Sequence, residues 1–353
     1  MRLGIVGCGS ISVPYAKAIA ATEGLELVAA ADALPERAEE LVATYGGIAH
    51  ESLASLLADE RVEAVVNLTG ATAHVDVTTA ALEAGKHVHS EKPLALSYGD
   101  ARALVELAAA RGLVLSASPA TLLGEAEQTL WKLVREGAIG RVRVAYAEAN
   151  WGHIEAWHPS PLTIYSVGPA GDVGVYSLAI LTAILGPARR VTAFGATVEP
   201  DRVDRDGRPF TIETPDLVVA LIELESGVLV RLTASFYVGP GKQRGIELHG
   251  DGGMLHLAAW SEFDSRLQLT TTENGDDYED VPLVRPGYRG NDWARALVDL
   301  AEAARDGRPP RASGEQAAHL VEILDAMDVS RRDGGTVEVR SSFVQPPPMP
   351  WAE

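Results

Sequence analysis

A glycine-rich turn near the start of the chain constrains its fold more than any other feature. Residues 7–12 read Gly-Cys-Gly-Ser-Ile-Ser and lie between a short apolar run and a segment of helical character. In such a turn Gly7 permits the tight bend, Gly9 lets the backbone approach a phosphate, and the small Ser12 allows close helix–strand packing. The free N–H groups at the start of the helix favour an anion. The pattern therefore predicts a strand–turn–helix unit of a parallel α/β domain.

An acidic residue follows the turn at about the spacing that is typical of dinucleotide-binding domains. Asp32 lies at the end of the second apolar run, 25 positions after Gly7. A carboxylate there accepts hydrogen bonds from the adenine-ribose hydroxyls of NAD and repels the 2′-phosphate of NADP. Arg37 softens that preference, so we expect NAD as the preferred cofactor, with NADP possible. The competing interpretation is that Asp32 only caps the helix that begins at Pro35.

The first third of the chain alternates apolar runs with helical segments. Buried strands separated by helices are typical of a parallel sheet that is covered on both faces. We therefore predict a doubly wound Rossmann domain. Its predicted strands are residues 3–6, 25–31, 62–68, 86–89 and 113–117, and its predicted helices are 11–22, 35–45, 73–84 and 97–111.

The pattern changes after about residue 118. Residues 141–148 alternate, with Val142, Val144 and Tyr146 pointing one way, and short glycine-bearing loops separate further alternating runs. These runs predict a C-terminal α+β domain with a large, mostly antiparallel open sheet. We place the Rossmann domain at 1–119 and the second domain at 120–353, with helices within 291–332 able to pack back onto the first.

Charge and cysteine content limit the partners and the compartment. The net charge of −19, from 30 basic and 49 acidic residues, disfavours nucleic acid and anionic membranes. The single cysteine, Cys8, excludes an internal disulfide and suits a reducing compartment. The chain shows neither a signal-peptide pattern nor about 20 consecutive apolar residues. We expect a soluble cytoplasmic protein.

A charged tripeptide ends one of the predicted strands. Glu91, Lys92 and Pro93 follow the run 86–89, and ligands of parallel sheets bind at the carboxyl ends of the strands. Lys92 is therefore expected beside the nicotinamide half of the cofactor, where it can hydrogen-bond a substrate hydroxyl. His87 and His89 lie on one face of this strand, but the sequence offers no third ligand at a recognisable spacing, so we expect no metal.

These motifs resemble those of the glucose–fructose oxidoreductase and inositol dehydrogenase family. The resemblance covers nearly the whole chain and implies a Rossmann domain, a second domain with a large open sheet, and homodimers or homotetramers formed through that sheet. It also implies hydride exchange between NAD(P) and a carbinol carbon of a sugar, an inositol or a related polyol. It rests on residues 7–11, on Gly85-Lys86-His87-Val88 with Glu91-Lys92-Pro93, and on Gly171-Asp172-Val173-Gly174-Val175-Tyr176.

The resemblance implies that Lys92, Asp172 and Tyr176 are the catalytic residues and also bind the substrate. Relatives usually carry histidine where Tyr176 stands, so the general base is left open between Lys92 and Tyr176. Asp172 and Tyr176 are four residues apart, which predicts one face of a helix. A tyrosine is a poor base at neutral pH unless a nearby cation lowers its pKa, and Lys92 is a candidate for that cation. The alternative is that Asp172 caps the helix and Tyr176 packs in the core.

The remaining site predictions concern the cofactor and the sugar. Trp157 and His158 are expected either to line the sugar pocket or to pack within their loop.

Two other functions stay open: a redox-neutral, NAD-dependent glycoside-processing enzyme, and a non-catalytic NAD- and sugar-sensing regulator. The residues predicted to bind the cofactor are Gly7, Gly9, Ser10, Ile11, Asp32, Arg37, Asn67, Thr69, His74, Glu91 and Lys92.

Overall fold

The computed structural model describes residues 1–239, 241–273, 275 and 277–353. The chain forms two compact units. The first contains residues 1–123 and 292–321, and the second contains residues 124–291 and 322–353.

The first unit is built on a six-stranded sheet in the order β3-β2-β1-β4-β5-β6, and every neighbouring pair is parallel. This confirms the predicted doubly wound fold. Its strands are β1 (Arg2–Val6), β2 (Glu26–Ala31), β3 (Ile48–His50), β4 (Ala64–Asn67), β5 (His87–Ser90) and β6 (Leu115–Ala117). Its helices up to this point are α1 (Ser12–Ala21), α2 (Pro35–Tyr45), α3 (Leu53–Ala58), α4 (His74–Glu83) and α5 (Tyr98–Arg111).

The sequence analysis missed β3 and α3. Strand β3 has three residues and lies at the edge of the sheet, where Ile48 is exposed. The strand therefore has no run of buried apolar residues that would predict it. Helix α3 spans six residues and begins with a capping box in which Ser52 and Ser55 exchange hydrogen bonds. Such short elements at a sheet edge carry little periodicity.

The second unit contains a nine-stranded sheet in the order β16-β15-β14-β13-β7-β12-β11-β8-β17. Its neighbours pair antiparallel apart from β7 and β12, which run parallel, so the prediction of a mostly antiparallel sheet is confirmed. Strands β9 and β10 form a separate hairpin. The helices are α6 (Glu125–Arg135), α7 (Pro161–Pro169) and α8 (Val175–Leu185). The strands are β7 (Val142–Asn150), β8 (Ala188–Ala196), β9 (Asp201–Val203), β10 (Pro209–Thr211), β11 (Leu217–Leu224), β12 (Leu229–Ser235), β13 (Gly245–Gly250), β14 (Gly253–Leu257), β15 (Leu267–Thr271), β16 (Glu279–Asp280) and β17 (Val337–Glu338).

Two further helices follow these strands in the chain. Helix α9 (Arg295–Asp306) places Leu297 and Leu300 in the apolar core beside β1 and α1, so it belongs to the first unit. Helix α10 (Gly314–Asp333) contains the boundary between the units, after Val321.

The buried face of β7 is not the one that its apolar alternation marks. Ala145, Ala147 and Ala149 are fully buried, whereas Val144 and Tyr146 on the opposite face are partly exposed. The pairing of β13 with β7 shifts register near Val142 and so disturbs the alternation at the start of the strand. Side chains alternate between the two faces of a sheet with a period of two. An irregularity interrupts this alternation, so the face of a residue beyond it cannot be counted from the start of the strand.

The segment Pro161–Leu185 is long and apolar enough to cross a membrane by length and composition alone. However, 83% of its most apolar window is buried inside the protein. Its helical backbone is also interrupted at Gly168, where φ is +76°. The segment is therefore a core element of the second unit.

Candidate functional site

A cavity of about 640 Å³ opens in the first unit at the carboxyl ends of β1 and β2. Its walls include the glycine turn, the end of β2 and the segment after β4. Five residues predicted to bind the cofactor line it: Gly7, Gly9, Asp32, Arg37 and Thr69. Glu51, Ser52 and Leu53 also line the cavity, and sequence reasoning missed them because they lie at the start of the short helix α3.

The glycine turn fits a dinucleotide. Gly7 has φ +90°, and a Cβ there would lie 2.7 Å from backbone atoms of Leu68 and Thr69. A Cβ at Gly9 would meet no atom within 4 Å, so this side of the turn is open for a phosphate to approach the backbone. The Ser12 hydroxyl donates to the Gly9 carbonyl (2.7 Å) at the start of α1. Ser10 and Ile11 lie in the same turn.

Asp32 is held by backbone N–H groups on both of its carboxylate oxygens. Oδ2 accepts from Cys8 N–H (2.6 Å), and Oδ1 accepts from Leu34 N–H (2.9 Å). The N-cap position of α2 is Leu34 and not Asp32, and Leu34 makes no side-chain cap hydrogen bond. Burial, together with the Asp32 carboxylate, raises the pKa of the Cys8 thiol to about 12. The thiol therefore stays neutral.

Asn67 and His74 support the cavity from the interior of the unit. Both are buried, and the Asn67 Oδ1 accepts from the Thr69 hydroxyl at 2.7 Å. The His74 Nε2 lies 2.9 Å from the Thr69 carbonyl, and its Nδ1 lies 2.6 Å from the Pro93 carbonyl. His74 therefore ties the segment after β4 to the segment after β5.

The Glu91 carboxylate anchors the charged tripeptide after β5. Its Oε1 accepts from the hydroxyls of Tyr15 (2.8 Å) and Ser118 (3.0 Å), and its Oε2 accepts from the Lys92 N–H (3.1 Å). The Lys92–Pro93 peptide is cis. The backbone that carries Lys92 is thus held on one side by Glu91 and on the other by His74.

His89 lies beneath this group and is fully buried. Its Nε2 is 3.3 Å from the hydroxyl oxygens of both Tyr15 and Ser118, and its Nδ1 is 2.7 Å from the Ser116 hydroxyl. Since the Tyr15 and Ser118 protons go to Glu91, a neutral His89 carries its proton on Nε2 and accepts from Ser116 at Nδ1. Burial lowers the pKa of His89 to about 4, which keeps this ring neutral. Sequence reasoning did not connect Tyr15, His89 and Ser118 with Glu91.

The second unit carries Asp172 and Tyr176 on two different kinds of helical turn. Asp172 lies in a π-helical turn, Ala170–Gly174, and Tyr176 is the second residue of α8. The two residues thus lie in consecutive helical segments, with a π-helical turn running directly into an α-helix between them. Gly171 and Gly174 weaken the α-helical preference of this turn, and Gly174 packs against the sheet, where a Cβ would lie 3.3 Å from Leu232.

A series of aromatic ring contacts begins at Tyr176 in the second unit. The ring of Tyr176 lies 5.1 Å from that of Trp260, and Trp260 lies 6.0 Å from Trp151. Trp157 follows at 5.4 Å from Trp151, and the ring of His158 lies 5.5 Å from that of Trp157. Tyr176 and Trp260 are 84 residues apart in the sequence, and no local sequence pattern predicts their contact.

Comparisons with known proteins agree with this fold and these motifs. Residues 1–118 match the model of the oxidoreductase family with an NAD-binding Rossmann fold, and residues 128–256 match the C-terminal domain model of the GFO/IDH/MocA family. A dTDP-3,4-didehydro-2,6-dideoxy-alpha-D-glucose 3-reductase of Streptomyces violaceoruber is 30% identical over 337 residues, covering 93% of this chain and 94% of that protein. A myo-inositol 2-dehydrogenase of Thermotoga maritima is 24% identical over 321 residues, covering 89% and 91%.

Solved structures share the architecture. An NAD-binding oxidoreductase from Klebsiella pneumoniae superposes with a TM-score of 0.84 at 22% identity, covering 97% of this chain and all of that one. A levoglucosan dehydrogenase in complex with NADH and L-sorbose superposes with a TM-score of 0.83 at 21% identity, covering 97% and 99%. The fold and the glycine turn define an NAD(P)-binding oxidoreductase. The chain belongs to the GFO/IDH/MocA family, as its sequence motifs predicted.

Proposed function

We propose that this enzyme transfers a hydride between a nicotinamide cofactor and a carbinol carbon of a sugar, an inositol or a related polyol. The observation that supports this most directly is that the Lys92 backbone is anchored at the end of β5, in the same unit as the dinucleotide cavity. Relatives named for a deoxysugar nucleotide, D-apiose and myo-inositol support the substrate class.

Each predicted catalytic residue has a distinct task in this proposal. A nicotinamide cofactor held in the cavity that Gly7, Gly9 and Asp32 line would supply the hydride acceptor or donor. Lys92 hydrogen-bonds the reacting hydroxyl and takes up or returns its proton as the carbon changes oxidation state. Asp172 and Tyr176 bind further hydroxyls of the substrate, and Tyr176 is the second candidate for the proton transfer. Trp157 and His158 belong to the substrate-binding surface.

The cavity favours NAD over NADP in this proposal. The ribose hydroxyls of NAD can donate to Asp32, whereas a 2′-phosphate would meet a carboxylate that two backbone N–H groups hold in place. Arg37 lines the same cavity and gives NADP a weaker route to binding. Asn67 and His74 act on the cofactor through Thr69, and Glu91 acts through the position of Lys92.

The outer face of the nine-stranded sheet supports a homodimer or homotetramer. Phe194, Val219, Leu221 and Leu229 are exposed, and the registers of β8, β11 and β12 place them on one face. An exposed face that carries several large apolar side chains is typical of a protein–protein interface. Sedimentation should therefore give a mass of at least two chains. The single buried thiol, Cys8, suits the reducing cytoplasm.

Replacement of Lys92 tests the proposed function. We expect Lys92→Ala to lower kcat by about a thousandfold because it removes the proton-transferring group. Titration with NADH and NADPH should give affinities close to those of the native enzyme, with NADH tighter in both proteins. Lys17→Ala, on the exposed face of α1, is the control and should keep full turnover. A Lys92→Ala enzyme that still turns over at the native rate would refute the assignment.

A further inference from the structure

A row of aromatic residues in mutual contact extends away from Tyr176. We define the aromatic row as Tyr176, Trp260, Trp151, Trp157 and His158, with successive ring centroids 5.1, 6.0, 5.4 and 5.5 Å apart. These spacings lie in the range of direct aromatic contact. The proposed reaction engages the Tyr176 end of the row, so the other end offers contact surface beyond one sugar ring.

The far end of the aromatic row is open to solvent. Trp151 is 44% exposed and Trp157 is 47% exposed, although two large aromatic side chains in contact would normally be buried. Trp260, in contrast, is half-buried, and its Nε1 donates to the Glu148 carbonyl at 3.2 Å. The row is therefore anchored near Tyr176 and presents its aromatic surface farther away. Exposed apolar surface next to a reaction site is typical of ligand recognition.

A buried ion cluster fixes the loop that carries Trp157. The Arg202 side chain is 1% exposed and contacts Glu155 at 2.9 Å and Asp216 at 2.6 Å. Tyr165 donates its hydroxyl to Glu155 at 2.5 Å. Burial opposes ionisation of Glu155, but the hydrogen bonds from Tyr165 and Arg202 hold its pKa below the usual range. The loop is thus held in one conformation before a ligand arrives, which reduces the entropy lost on binding.

The charge of the loop limits the chemistry of its ligand. Residues 151–160 read Trp-Gly-His-Ile-Glu-Ala-Trp-His-Pro-Ser and contain no lysine or arginine. An aromatic face attracts the weakly positive C–H groups on the flat side of a pyranose. The surface therefore suits an uncharged sugar ring better than a nucleoside diphosphate.

We propose that the substrate is an uncharged glycoside with two rings, one reacting beside Tyr176 and the other stacking on Trp151 and Trp157. This inference rests on the proposed function and adds the class of substrate. Trp151 and Trp157 are specificity-determining residues in this proposal, and they contribute to binding without taking part in hydride transfer.

Calorimetry on the NAD-loaded enzyme tests the inference without requiring turnover. The ligand pairs are methyl α-glucoside against maltose and methyl β-glucoside against cellobiose, so that each pair differs in its second ring. We expect the two-ring ligand of at least one pair to bind at least tenfold more tightly. Trp157→Ala should reduce this ratio to about one, and Trp157→Tyr should restore part of it. Trp351→Ala, which removes a tryptophan from the same unit outside the aromatic row, should leave the ratio unchanged.

Several results would overturn the inference. These are equal affinities within both pairs in the native enzyme, binding of neither class of ligand, an unchanged ratio in Trp157→Ala, or tighter binding of a nucleoside diphosphate glucose than of both disaccharides. Nicotinamide absorbance, recorded separately, reports on the proposed function. A protein that binds disaccharides through Trp157 but reduces no NAD with any of these sugars would retain the stacking site and lose the dehydrogenase assignment.

Discussion

The two units stabilise their carboxylates in different ways. In the first unit, Glu91 accepts from the hydroxyls of Tyr15 and Ser118, which lie above the neutral ring of His89. In the second unit, Glu155 and Asp216 contact the guanidinium of Arg202. Hydroxyl donors orient a carboxylate without cancelling its charge, whereas an ion pair largely neutralises it. In the proposed function the first arrangement holds the backbone of Lys92, and in the proposed stacking site the second holds the loop that carries Trp157.

The largest expected effect on stability concerns the ion cluster of the second unit. Arg202→Met leaves Glu155 and Asp216 buried without their cation, so we expect the free energy of unfolding to fall by about 3–5 kcal/mol. Chemical denaturation followed by circular dichroism measures this change.

The matched control lies in the loop between β9 and β10. Arg208 pairs with Asp204 at 3.1 Å, but its side chain is 71% exposed. Exposed pairs contribute at most about 1 kcal/mol, so Arg208→Met should have a small effect. Equal losses in the two variants would contradict the distinction between a structural ion cluster and a surface pair.

The second prediction concerns pH and His89. The pKa of this ring is about 4 in the folded protein, against 6.5 as its ordinary value. As the pH falls below 6.5, the unfolded chain takes up the proton first, so stability is lost between pH 6.5 and pH 4. Between pH 8 and pH 5 the loss from this group amounts to about 2 kcal/mol.

The variant His89→Gln removes this titration. Denaturant unfolding of both proteins at pH 8 and pH 5 should show a smaller loss in the variant, by the same 2 kcal/mol or so. Subtracting one protein from the other cancels the contributions of the other titrating groups. An identical pH dependence in the two proteins would show that the ring is not held neutral.

The smallest expected effect tests whether Glu91 positions Lys92. Tyr15→Phe removes one hydroxyl donor to the Glu91 carboxylate, which is worth on the order of 1.5 kcal/mol for a bond to a charged group. If Glu91 positions Lys92, kcat should fall about tenfold while KM and the affinity for NADH change little.

The control for this variant is Tyr45→Phe, at the end of α2. Its kcat should remain close to the native value. A Tyr15→Phe enzyme that is less stable but keeps the native kcat would assign the Glu91 group a purely structural role.

Some parts of this protein follow from local sequence alone. The turn at 7–12 was predictable because strand, glycine turn and helix are contiguous in the sequence. The structure agrees with glycine at position 7, since a Cβ there would lie 2.7 Å from backbone atoms of Leu68 and Thr69. The sheet type was predictable because apolar runs and alternating runs have different periods. The backbone position of Lys92 was predictable because it lies two residues after a strand, and the carboxyl ends of parallel strands meet at one edge of the sheet.

Other features were decided only by the tertiary structure. The hydroxyls that hold Glu91 come from residues 76 and 27 positions away, and a hydrogen bond over such distances leaves no periodic trace in the sequence. The π-helical turn at Asp172 left no signal in the local sequence, and the aromatic row depends on the contact between Tyr176 and Trp260, which lie 84 residues apart. Local sequence determined the elements and their order, because propensity and periodicity act between near neighbours. The partners of each reactive side chain were determined by packing, because they meet only after distant segments have been brought together.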